Sequence, residues 1–533
     1  MEQYARISTA ASREIIPIAR PYSLFDFLRK KFGPLEPLLE PLHRILSQVR
    51  AGNGQTMVVE ELAAAEDLRQ ENEDIAKCFP GFTTSRAYRL SFFCKPVFTL
   101  RGLRGVAADQ FIGYAIVKQD DVPSRGPVVR VYESVLRGSR HRHNYVRGQQ
   151  QWACAVAGRL FKVAGYMYAQ QNGVTNVCAH VALRTAAARF HKDGDMLYRE
   201  MNQLVGIDHV ARTVADGLDT KQMVQILEAS GARCFAGDYS KPTAGTRPPF
   251  QKFLYGSIES GYPAIIVFAT TDASGSYHAV PVYGHTFSED TWVPDADFSY
   301  FKIGTGTQYI PSESWLSMFI AHDDNWGSNF CIPRHYLSPQ SALVGTSTSV
   351  PPTAAVAYVI GTFPRQVKVN SIVAEAVGAD YLFTIHPQLP TDGNPWSQRL
   401  REYANTNRLI LRPLLVEAGD YQKHLTRVRD WDGSAIRTDL LAALRTSLPS
   451  EKVWMIELSV PNLFSANKRK VGEVLLRAEV SASPKRDFSN FLLARLPGYF
   501  ALYDGGGAVN PKYQFIPSGA PSHVELYGCE EHP

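Results

Sequence analysis

A chain of 533 residues is too long for one hydrophobic core and predicts two or three domains. With 45% hydrophobic and 20% charged residues it lies far from the composition of disordered chains, and its net charge of +5 is too small for this length to point to nucleic acid. The seven cysteines (78, 94, 154, 178, 234, 331 and 529) are scattered, with neither CxxC pairing nor metal-ligand spacing. They read as reduced thiols of a cytoplasmic protein, with no metal and no cofactor implied. The first twenty residues lack a continuous apolar core, which argues against a secretory signal. The uncharged stretch between Arg334 and Arg365 is broken by Pro339, Pro351 and Pro352, so it reads as a linker and a strand rather than a membrane span of about 20 apolar residues.

In chain order, helical spacing over Ser23 to Arg50 predicts two helices separated by Gly33 and Pro34, and a third is expected over Glu60 to Lys77. Strand-like runs follow at Tyr88 to Phe93, Gln110 to Lys118 and Val128 to Val135. Arg137 to Arg147 is the most basic run, and it carries His141 and His143. It could meet phosphates or an acidic partner, but with no cysteine or acid nearby it reads as a solvated loop between domains.

Past Gly148 the pattern changes. Two short strands, Trp152 to Val156 and Arg159 to Ala164, lead to QQNGVTNVCAHVALRTAAARF, Gln170 to Phe190. Here a turn-forming segment opens into an alanine-rich helix with Cys178 at its start. Helix N-termini carry unpaired N–H groups and the positive end of the macrodipole, which favours a thiolate. Gly217 to Gly237 predicts a helix capped by Asp219 or Thr220 and ended by Gly231. A second amphipathic helix covers Phe250 to Gly261. Strands Pro263 to Ala269 and Tyr277 to Gly284 are joined by the DASGS turn. His278 opens the second strand, and strand alternation sends His285 to the other face. Ser314 to Gly327 runs as a strand into a turn carrying Asp323, Asp324 and Asn325, which lacks the spacing of a calcium loop.

The order of glutamine, helix-opening cysteine, two amphipathic helices, strand, histidine and acid resembles the papain-like cysteine peptidase superfamily, closest to the bacteriocin-processing peptidase domains of bacterial exporters. The matching stretches are QQNGVTNVCA, GLDTKQMVQILEASG, GYPAIIVF, YHAVPVYG and FIAHDDNWG. The resemblance implies an α+β fold with a papain-like core, in which the cysteine helix packs on an antiparallel sheet bearing the histidine. It also implies a thiol protease that hydrolyses a peptide or isopeptide bond in a protein or peptide substrate. Carried over by residue, Cys178 is the nucleophile, His278 its base and Asp323 the orienting acid, with Asp324 and Asn325 as competitors. Gln171 is the oxyanion donor, with Gln170 as its competitor, because relatives place this glutamine one residue nearer the cysteine. His180, about 200° around the helix from Cys178, is not expected to be the base. A transglutaminase-like acyl transferase, an amidase and an inactive protein-binding module are the alternatives on the same fold.

The expected division is an N-terminal helical and strand domain over 1–148, the peptidase domain over 149–340 and a C-terminal α+β domain over 341–533. In the last, strands at Ala354 to Ile360, Leu409 to Val416, Val453 to Val460 and Val471 to Val480 alternate with helices at Ser371 to Val377 and Ile436 to Arg445. Its basic clusters, Lys468 to Lys470 and Lys485 to Arg486, read as solvated faces. No P-loop or Rossmann pattern gives it chemistry, so substrate recognition or a regulatory protein partner is the expectation there.

Overall fold

The computed structural model describes residues 5–6, 10–18, 23–33, 40–62, 66–82, 84–123, 126–138, 144–211, 216–240, 248–269, 277–287, 309–334, 356–448, 451–465, 470–479, 488–507 and 509–520. His141 and His143, the DASGS turn, the whole of 341–355, and the basic residues Lys468, Arg469, Lys485 and Arg486 lie outside these. The protein is α+β with largely antiparallel sheets, and among the described residues no helix is long and apolar enough to cross a membrane.

The chain forms two units, and their bounds depart from the expected cuts at 148 and 340. One comprises Met1–Ser240, Gly261–His285 and Met318–Pro364; the other comprises Lys241–Ser260, Thr286–Ser317 and Arg365–Pro533. Buried polar contacts give the reason for the missing cut at 148. The helix Glu40–Ala51 holds the later strand Gly327–Pro333 through Arg44 Nε donating to the Ser328 carbonyl and Gln48 Nε2 donating to the same oxygen. Glu71, on the helix Glu66–Cys78, accepts from Asn172 Nδ2 in the loop before Cys178. Conversely, the helix Phe250–Glu259 belongs to the second unit, where Lys252 pairs with Glu375 and Glu259 with Arg412.

In the first unit, strands Ala10–Pro17, Thr56–Leu62, Thr84–Phe93, Phe111–Val122 and Gly126–Leu136 form an antiparallel sheet in that order. The helix expected over Glu60 to Lys77 starts only at Glu66, because Thr56–Leu62 is a strand. Glu60 is buried between Arg89, whose Nη2 lies 2.7 Å from its Oε2, and Arg13, whose Nε lies 2.8 Å from its Oε1. Those cross-strand partners override the helix propensity of a glutamate pair.

A second sheet of this unit carries the candidate site. Its order is Ala232–Asp238, Val356–Pro364, Ala264–Ala269, Tyr277–Phe287, Leu316–Asp323 and Gly327–Pro333. The helix Cys178–Ala187 packs on it: Ala179, Ala182, Leu183 and Ala186 share one apolar cluster with Ile265, Val267, Ala279 and Ile360. Small residues on the helix permit this close approach. The strand Ala232–Asp238 was not expected from its sequence, since Arg233, Gly237 and Asp238 obscure its alternation.

The second unit is built on strands Ile410–Glu417, Lys452–Ser459, Gly472–Arg477, Phe491–Leu496, Tyr499–Tyr503 and Tyr513–Pro517, successively antiparallel, with Ile310–Pro311 parallel at one edge. The helix Ser371–Ile385, longer than the expected Ser371 to Val377, brings Gly378 against Ile456, where a Cβ would lie 2.4 Å from the isoleucine side chain. On the other face, Leu414, Met455, Leu475 and Leu493 pack with residues of the helices Ala418–Leu425 and Thr438–Ser447. One register step further along the same face, Arg412, Glu457, Glu473 and Arg495 stand directly opposite one another across four strands, each at most 3% exposed.

Candidate active site

The loop that delivers Cys178 is fixed by one side chain. Asn172 Oδ1 accepts from the N–H groups of Val174, Thr175 and Asn176, and its Nδ2 donates to Thr175 Oγ1 and Glu71 Oε1. Gly173 takes φ 63° inside this turn, the left-handed region that glycine enters without a steric cost. Glu71 is itself held by Lys118 and Arg130. Burial pushes its carboxyl up, but the two cations outweigh it and bring the pKa down to about 2.

At the helix start, Val177 offers no side-chain cap. His180 supplies it instead: the Val177 N–H donates to His180 Nδ1 at 3.3 Å, while His180 Nε2–H donates to Asn202 Oδ1 at 2.8 Å. Asn202 Nδ2 in turn donates to His209 Nδ1, and His209 Nε2 lies 3.1 Å from Asp74. Burial drives His180 down to about 4, so it stays neutral, with both nitrogens spent on structure. The helix is anchored lower down by Arg184, wholly buried between Asp195 and Glu133.

Cys178 occupies the first helical position, half-buried, with Sγ 3.9 Å from the Tyr277 carbonyl. That carbonyl immediately precedes His278, whose ring packs edge-on against Phe268 of the paired strand. His278 Nε2 lies 3.2 Å from Asp323 Oδ2 and 3.5 Å from Asp324 Oδ1. With Nε2 turned to the carboxylates, Nδ1 is the ring nitrogen left for the thiol. Burial pulls His278 toward its neutral form. Its hydrogen bond to Asp323 and the nearby Cys178 thiol, with the charges of both aspartates, outweigh that and raise its pKa well above the ordinary histidine value.

Asp323 is fully buried and used at both oxygens: Oδ2 faces His278, while Oδ1 accepts from the N–H groups of Asn325 at 2.9 Å and Trp326 at 3.2 Å. Asn325 therefore contributes its backbone to Asp323. A bulge between Ala321 and Asp323 interrupts the pairing with the next strand. His322 is turned elsewhere: its Nε2–H donates to the Tyr166 carbonyl and its Nδ1 accepts from the Asn329 N–H, and burial brings it down to about 3. The tight return ends at Gly327, φ 109°, where a Cβ would come within 2.9 Å of the Arg44 side chain. Asp324 is 5% exposed, and neither of its carboxylate oxygens accepts a hydrogen bond. Burial, then the neighbouring Asp323, push its pKa up to about 7 against the pull of His278.

The two candidate glutamines differ. Gln170 Oε1 accepts from the Val131 N–H at 2.7 Å and Nε2 reaches the Asp324 carbonyl at 3.4 Å, so that amide is committed to the scaffold. Gln171 is half-buried, with no side-chain hydrogen bond among the described residues. Sequence reasoning read Asn172 as part of the turn-forming segment and overlooked Asn202 and Glu71 as residues that fix the cysteine helix and its loop. The Asn-Gly pair at 172–173 was a visible turn signal, whereas Asn202 and Glu71 act over long sequence separations that no local pattern records. The protein-family models, the curated proteins and the solved structures compared with this chain contain no match to it.

Proposed function

We propose that the protein is a papain-like cysteine peptidase that hydrolyses a peptide or isopeptide bond of a protein or peptide substrate. One observation carries this reading: a helix-opening thiol set against the Tyr277 carbonyl, next to a histidine whose Nε2 is held by a buried carboxylate. His278 takes the Cys178 proton at Nδ1, and the thiolate attacks the carbonyl carbon of the scissile amide. The oxyanion forms beside the N–H of Cys178, a first-turn group without an intrahelical acceptor, and the Gln171 side-chain amide completes its stabilisation. Nε2–H meanwhile donates to Asp323 Oδ2, which steadies the imidazolium until it returns the proton to the departing amine. Water, deprotonated by His278, then cleaves the thioester and releases a free carboxylate.

Cytoplasmic residence fits the scattered, unpaired cysteines, and the second unit is the natural place for selecting the substrate or a regulatory partner. The test is alkylation of Cys178 by iodoacetamide, followed by peptide mass spectrometry across pH in the wild type and in His278→Ala. Fast labelling near pH 6 that collapses in the variant is expected. Labelling that rises only near the ordinary thiol pKa of about 8.5 and ignores His278 would sink the reading.

A further inference from the structure

His278, Asp323 and Asp324 bring three potential ligand atoms within 4.8 Å of one another, all from buried side chains. Two of the three separations match a zinc shell. Two ligands bound at 2.0–2.2 Å to a tetrahedral zinc ion stand about 3.3–3.5 Å apart. His278 Nε2 lies 3.2 Å from Asp323 Oδ2 and 3.5 Å from Asp324 Oδ1. The surroundings are also arranged as a ligand shell requires. Asp323 Oδ1 is fixed by two backbone N–H groups, so Oδ2 is aimed without further adjustment. Asp324, 5% exposed, makes no side-chain hydrogen bond, and its Oδ1 has only His278 Nε2 beside it at 3.5 Å, so this buried acid is thinly paired and a cation at that point would pair it more fully. The bond that orients the imidazole comes from Asp323, so that role does not need the second carboxylate.

We propose that His278 Nε2, Asp323 Oδ2 and Asp324 Oδ1 form a binding site for a divalent cation of the zinc class, and that occupancy of this site switches the thiol chemistry off. A metal on Nε2 takes that nitrogen's lone pair, so the neutral imidazole keeps its one proton on Nδ1, facing Cys178. It then has no lone pair with which to accept the thiol proton. One imidazole ring thus serves either the cation or the nucleophile. Metal binding itself does not depend on the peptidase reading; only its consequence for Cys178 does.

The experiment is calorimetric titration of Zn²⁺ into full-length, chelator-treated Cys178→Ala protein, with the thiol removed so that it cannot ligate. One site is expected, and adding Asp324→Asn should weaken it at least tenfold, as should His278→Gln, while circular dichroism and the metal-free melting temperature of Asp324→Asn show an intact fold. If Asp324→Asn fails to fold, Asp324→Ser is titrated in its place under the same criterion. Absence of a single-site isotherm, or one that Asp324 and His278 substitutions leave unchanged, overturns the proposal. The alkylation test separates this from the catalytic reading: His278-dependent labelling without zinc binding removes the metal site alone, and zinc binding with His278-independent labelling removes the peptidase alone.

Discussion

Asp323 joins the His278 strand to the turn that follows its own strand: one carboxylate oxygen lies 3.2 Å from His278 Nε2 and the other accepts two backbone N–H groups. Asp323→Asn tests this double use. Whichever way the amide turns, its NH₂ meets a donor, either the imidazole N–H or the backbone pair. The imidazole is then driven to the tautomer with its proton on Nδ1, facing the thiol. Cys178 alkylation near pH 6 should fall at least tenfold, with the fold retained by circular dichroism. A rate within twofold of wild type would show that Asp323 does not orient the base.

The raised pKa values of His278 and Asp324 have a defined sign in stability. Both groups bind a proton more tightly in the folded chain than in the unfolded one. The His278 contribution is fully present below the ordinary value of 6.5 and is lost as pH rises through its folded value. For Asp324, the unfolded carboxyl ionises near 3.8 while the folded one stays protonated up to about 7, so stability falls with rising pH across that window. Asp324→Asn removes the second term and keeps the shape. Its melting temperature should fall less than that of wild type between about pH 5 and about pH 8, leaving the variant the more stable at the upper end. Parallel curves would mean that Asp324 is ionised throughout.

The local patterns that placed most elements are those in which a strand or helix is set by its own residues. The helix Thr220–Ala229 is such a case: of the two expected caps, Asp219 and Thr220, it is Asp219 that caps it, with Gln222 reciprocating. The α+β class of the last third follows from its alternating runs, whereas for the cysteine domain it is what the resemblance implies. What no local pattern shows is an element type or a unit membership set by distant partners. Glu60 joins a strand because Arg89 and Arg13 meet it there, and the helix Phe250–Glu259 joins the second unit through Glu259 and Lys252, whose partners lie more than 100 residues away in sequence. At the site, residue type and chain order singled out Cys178, His278 and the Asp323 turn. The division of labour between Gln170 and Gln171, and the aiming of Asp323 and Asp324 at one nitrogen, arise from side-chain packing that spacing does not encode.

His180 separates structural support from chemistry on the cysteine helix. His180→Ala removes the acceptor for the Val177 N–H and leaves Asn202 Oδ1 without its donor in a buried place. A loss of about 1–3 kcal/mol in urea unfolding is expected from a missing cap and an orphaned amide. The pH at which Cys178 becomes reactive should stay where it was, because the proton goes to His278. A shift of that pH toward the ordinary thiol range in His180→Ala, with His278→Ala silent, would reverse the two assignments.

In the second unit the row Arg412, Glu457, Glu473 and Arg495 places two acids side by side between two arginines, and Lys470 Nζ approaches Glu473 at 3.3 Å and Glu457 at 3.9 Å. Arg495 also stacks over Trp431, its guanidinium carbon 3.8 Å from the ring centre, and lies 3.6 Å from Asp430. Removing one member leaves a desolvated opposite charge, which costs more than the pair contributes. Arg495→Met should therefore lower unfolding free energy by about 3–5 kcal/mol, whereas Arg495→Met combined with Glu473→Gln should recover a large part of that loss. Tyr421 can still donate to the glutamine oxygen, as it does to Glu473 Oε1 at 2.9 Å, so the double variant keeps that contact. Strict additivity of the two substitutions would show that Arg495 and Glu473, 3.5 Å apart, do not stabilise one another.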